Sequence, residues 1–127
     1  MILTLALMAQ AAAAAPKSAP APDARAAVVC VRAEKGGRRP LTFAGQLVGK
    51  RPQPGEFKLP LTPGTDVCNN LLRSKIATWN LEVTTSGFTP CVLPAPEFGQ
   101  RVTYSAKAGA RGLKCAQIAK SPIGTWK

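Results

Sequence analysis

Apolar and polar residues alternate along much of this chain, most cleanly in TWNLEVTT (78–85), where Trp79, Leu81 and Val83 face one way and Asn80, Glu82 and Thr84 the other. A period of two puts successive side chains on opposite faces of a strand. AAVVCVRA (26–33) is dense in β-branched residues and reads as another strand, with Val29 and Val31 on one side and Val28, Cys30 and Arg32 on the other. LTFAGQLVGK (41–50) is extended, with Leu41, Phe43, Gly45 and Leu47 sharing a side. FTPCVL (88–93), RVTYSA (101–106) and GLKCAQIA (112–119) complete the set, and Tyr104, on the face of Val102 and Ala106, is expected to be buried.

Two stretches break the pattern. RPQPGEFKLPLTPG (51–64) carries Pro52, Pro54, Pro60 and Pro63, which remove backbone donors and exclude a central strand. It reads as a long ordered loop or an edge segment with Phe57, Leu59 and Leu61 turned inward. In TDVCNNLLRSKIATW, Val67, Cys68, Leu71, Leu72, Ile76 and Trp79 recur at helical spacing behind Thr65 or Asp66 as a cap. The spacing predicts one short helix over about 66–77, with a strand over 67–73 as the alternative. The fold class expected is mostly β: a small disulfide-stapled antiparallel sandwich or partly open barrel.

The amino-terminal end differs in kind. An apolar run from Ile2 to Met8 leads to small residues at Ala9 and Ala11, the pattern of an export signal over 1–11, although no Lys or Arg precedes Lys17. The run is too short to span a bilayer, so no transmembrane anchor is expected. Residues 12–26, with Pro16, Pro20 and Pro22 among alanines, read as a stiff spacer, which leaves 27–127 as a single small β-rich domain. A domain of that size has little core to set against chain entropy. Cys30, Cys68, Cys91 and Cys115 all fall within it, an even number that predicts two disulfides and a periplasmic or secreted protein. Four cysteines permit three pairings; the nested one, Cys30 with Cys115 and Cys68 with Cys91, would join the first strand to the last.

Chemistry is constrained mainly by what the composition lacks. The chain has no histidine, and 6 acidic residues stand against 17 basic ones, so general acid/base and zinc chemistry have little to work with. No C-x-x-C pair nucleates a metal site or a redox turn, and Ser86 and Ser105 have no partner base. A non-catalytic protein without metal or cofactor is expected.

What rises above background is a net charge of +11. A field of that sign attracts polyanions. KGGRR (35–39) forms a flexible tip whose arginines suit forked contacts with phosphate or sulfate, so Lys35, Arg38 and Arg39, with Lys50 and Arg51 at the start of the proline-rich stretch, are the candidate anion-binding residues. The ligand expected is an anionic envelope polymer or lipid head group. Nucleic acid is less favoured, since most of the aromatics read as core, apart from Trp126 near the terminus. The alternative is a protein-binding accessory subunit or periplasmic enzyme inhibitor acting through loop 52–63, with Phe57 and Leu59 as the contact.

Overall fold

The computed structural model describes residues 25–37, 39–49 and 55–123. The candidate signal and nearly all of the spacer, together with Arg38, Lys50, Arg51 and Trp126, lie outside the described residues. Among the described residues eight strands follow one another: β1 (Ala26–Ala33), β2 (Thr42–Gly49), β3 (Glu56–Pro60), β4 (Asp66–Leu72), β5 (Ala77–Thr84), β6 (Cys91–Leu93), β7 (Gln100–Ala108) and β8 (Leu113–Pro122). They form two four-stranded sheets, one in the order β4-β1-β7-β8 and the other β3-β2-β5-β6. All neighbours are antiparallel except β1 and β7, which run parallel. The arrangement is a sandwich rather than a closed barrel.

Alternation explains why these strands pack. Val29 and Val31 of β1, Leu71 of β4 and Val102, Tyr104 and Ala106 of β7 turn inward from the first sheet. From the second come Phe43 of β2, Leu81 and Val83 of β5, and Leu93 of β6. Phe57 of β3 closes the side of this core, its ring set edge-on to Phe43 at 5.0 Å and tilted against Trp79 at 5.9 Å. That packing requires Gly45, because a Cβ there would collide with the Phe57 ring. Within the proline-rich stretch, Glu56–Pro60 is an edge strand, with Phe57 and Leu59 half-buried and Leu61, just beyond it, buried.

The expected helix over about 66–77 is absent; β4 occupies Asp66–Leu72 and β5 begins at Ala77. The open edge of β1 supplies the reason, pairing with β4 from Ala26 opposite Leu72 to Arg32 opposite Asp66. Seven residues paired to a neighbour bury Leu71, while Leu72 and Ile76, members of the apolar stripe that suggests a helix, are exposed. A short helix containing Asn69 and Asn70 has too few turns and too little propensity to compete. Asp66 is accordingly no cap. Its carboxylate accepts from Arg32 Nε at 2.6 Å and Nη2 at 3.2 Å, and the hydrogen bond from Arg32 holds its carboxyl below the usual range.

The nested disulfide pairing is also corrected. Cys30 bonds Cys68, directly opposite on β4, and Cys91 bonds Cys115, joining β6 of one sheet to β8 of the other. Strand order forbids the nested alternative: β7 lies between β1 and β8, and two strand spacings of about 4.8 Å each exceed the roughly 7 Å Cα separation a disulfide spans. In the loop-entropy account, bridges closing segments of this length are worth roughly 3–4 kcal/mol each. Two such bonds are consistent with folding outside a reducing cytosol.

A non-reducing peptide map should recover Cys30–Cys68 and Cys91–Cys115. Tyr104, the 1 tyrosine of the chain, supplies a second check without mutation. Burial, aided by the charge of Glu97, raises its phenol above the ordinary 10.0. The folded state therefore holds that proton more tightly than the unfolded chain, so the stability gained is present below the ordinary value and lost as pH rises through the folded one. Tyrosinate absorbance should show a midpoint above that of the denatured protein; an ordinary midpoint would contradict the burial. Phe43→Ala should cost about 3–5 kcal/mol in denaturant unfolding.

Candidate anion-binding surface

Strand direction sorts the cations. β1 and β7 run from one end of the sandwich to the other, ending at Ala33 and Ala108. The end they reach carries the turn 34–37 and the β7–β8 connection, which touch: a Cβ built on Gly37 would lie 3.9 Å from the Ala108 amide nitrogen. The amide of Glu34 donates to the Ala106 carbonyl at 2.9 Å, extending the parallel pairing by one residue.

On the β7–β8 hairpin, Lys107 lies directly across from Lys114. Both are exposed; Lys107 alternates with the buried Ala106 and Ala108 and so points to the outer face, and Lys114, paired with it, shares that face. Like charges directly opposite on a sheet repel. Arg111 sits in the connecting turn, which is closed by a 2.9 Å hydrogen bond from the Gly109 amide to the Gly112 carbonyl. The three cations and the acidic Glu34 line an open hollow of about 620 Å³. The acids that do form ion pairs on the described residues do so elsewhere, Asp66 with Arg32 and Glu97 with Lys120.

The candidate residues of the sequence have varied placements. Lys35 follows Glu34 at this end and is exposed, but its chain turns toward β4, with Cε 2.8 Å from where a Cβ on Gly64 would stand. Arg39 is engaged structurally: Nη1 donates to the Ser86 carbonyl, and the guanidinium carbon lies 4.5 Å from the Phe88 ring centroid. Thr85 Oγ1 donates to the Pro40 carbonyl at 2.8 Å beside it, so this pair of contacts laces segment 39–41 to the turn after β5. β2 then carries the chain to the opposite end at Gly49, and the candidates Arg38, Lys50 and Arg51 lie outside the described residues. Phe57 and Leu59 pack against the core.

Sequence patterning does not single out Lys107, Arg111 and Lys114 as a group, although their signal is present. Extending the alternation of RVTYSA by two residues and closing the hairpin at AGARG sets one lysine opposite the other. Charge is also unevenly shared between the two outer faces. That of the first sheet carries Arg32, Arg101, Lys107 and Lys114 with Asp66 as its acid, whereas that of the second carries Lys58 with Glu56 and Glu82.

No family model matches the chain, and no curated protein matches it. Among solved structures, the chain is similar to a Bacteroides ovatus protein described as a "putative cell adhesion protein", with a TM-score of 0.41 and 9% identity. The likeness covers 81% of this chain and 46% of that one, so this chain spans less than half of that protein's length.

Lys114→Glu should replace a repulsive cross-strand pair with an attractive one and stabilise the domain by about 0.2–1 kcal/mol at low salt. The gain should shrink as salt is added. Denaturant unfolding at two ionic strengths measures both; no gain at low salt would mean that the lysines do not feel each other.

Proposed function

We propose that this protein is a non-catalytic, exported binding module for anionic ligands, which it engages at the sandwich end formed by the β7–β8 hairpin and the 34–37 turn. The observation that carries the reading is the Lys107–Lys114 pair, set directly opposite across the hairpin with Arg111 beside it, three cations to the one acid Glu34 in one hollow. Holding like charges together costs free energy in the free protein, and a bound phosphate, sulfate or carboxylate group relieves it. The net charge of +11 adds a long-range attraction of the same sign. Binding rather than catalysis suits a chain with no histidine in which Asp66 and Glu97, among its few acids, are held in ion pairs. The two disulfides favour the periplasm or the cell exterior, where envelope polyanions are the ligands at hand.

Retention on immobilised heparin, followed as salt is raised, tests the reading. Changing Lys107, Arg111 and Lys114 together to alanine should reduce the slope of log affinity against log salt by about 2–3, roughly one for each cation removed. Lys58→Ala, on the other sheet's outer face, should change retention far less. Unaltered elution of the triple variant would end the case for the hairpin.

A further inference from the structure

The opposite end of the sandwich has a different character. Three of the five large apolar side chains exposed on the described surface gather there: Leu72 at 69%, Ile76 at 68% and Val48 at 42%. Leu72 and Ile76 flank the β4–β5 connection, a short turn whose intervening residues include Arg73 and Lys75. The turn is held in shape from within. Ser74 Oγ accepts from the amides of Ile76 at 3.2 Å and Ala77 at 3.1 Å, and the Trp79 indole donates to the Leu72 carbonyl at 3.0 Å. The guanidinium of Arg73 lies 5.6 Å over the Phe98 ring from the neighbouring connection. Glu97, the acid nearest in sequence to that ring, is bound to Lys120.

An ordered turn that presents isoleucine and leucine to water, with a cation beside each, has a cost in the free protein that a partner must offset. Arg73 and Lys75 line one open hollow of about 610 Å³ with Ile76 and Val48, so apolar surface and positive charge adjoin at this end. That combination matches a lipid boundary, where acyl chains meet anionic head groups. We infer that this end docks on an anionic lipid surface, with Leu72 and Ile76 entering the acyl boundary while Arg73 and Lys75 meet lipid phosphates. The inference goes beyond the anion site at the other end and does not depend on it.

Co-sedimentation of the full chain with vesicles tests it, comparing pure phosphatidylcholine with a mixture containing phosphatidylglycerol. The protein should partition to the anionic vesicles, and the paired change Leu72→Ser and Ile76→Ser should weaken that partition by roughly tenfold or more. Both side chains are exposed, so an unchanged melting temperature confirms that the variant folds. Arg73→Ala with Lys75→Ala should also weaken binding, but only to the anionic mixture. In the Lys107, Arg111 and Lys114 alanine background, where the hairpin can no longer hold head groups, the serine changes should still weaken vesicle binding by a similar factor, which separates failure here from failure of the hairpin site. Vesicle binding indifferent to the serine changes in that background overturns the inference. So does self-association that the serine changes abolish while vesicle binding is absent, since the tip would then serve a second copy.

Discussion

The contact between the two sheets' inward faces is what the rest of the molecule depends on. Phe43, Leu81 and Val83 from one sheet meet Val29, Val31 and Leu71 from the other, and these six are essentially inaccessible to water. A sandwich this small buries too little apolar surface for the core alone to give a wide margin. The Cys91–Cys115 bond therefore acts where the margin is thinnest: it ties the three-residue edge strand β6 to the edge strand β8 of the facing sheet. Cys30–Cys68 has a different task, holding β4 in register on β1 within one sheet. One bridge keeps the layers together, the other keeps a strand in its layer.

Because every inward position is needed for packing, the cations are confined to outer faces and ends. Strand pairing then decides which of them meet. Lys107 and Lys114 are seven residues apart in sequence but are neighbours across the hairpin, while Arg32, much further from Asp66 in sequence, finds it through the β1–β4 register. The first pairing sets like charges side by side; the second joins opposite ones. A single rule of alternation and register thus produces both a structural ion pair and a candidate ligand site.

The strands that alternate over many residues are legible in the amino-acid sequence alone. Val29 and Val31, Leu81 and Val83, and Tyr104 with Val102 and Ala106 all face the core as their period requires. Edge status for the proline-rich stretch is legible too, because proline cannot donate to a second neighbour. Segment 66–77 misleads because its helical spacing rests on residues such as Leu72 and Ile76, which the fold leaves in solvent. An exposed apolar residue looks the same in sequence as a buried one. Disulfide connectivity is beyond reach for another reason: it depends on β7 entering the sheet between β1 and β8, a non-local choice that no local pattern encodes. The hairpin cations lie in view but count as scattered charge, since only the β7–β8 register brings them together.

The two ends of the sandwich are electrically separate, which bears on how one small domain can serve two surfaces. β7, with its nine residues, runs from one end to the other, a distance of about 30 Å at the usual rise per residue. At physiological ionic strength exposed charges are screened over about 8 Å. Arg73 and Lys75 therefore contribute little to the potential felt at Lys107 and Lys114, and binding at one end neither recruits nor repels ligand at the other through charge. Any coupling between them would have to pass through the packed core. On the two proposals, a polyanion at one end and a lipid surface at the other would lie about the length of β7 apart.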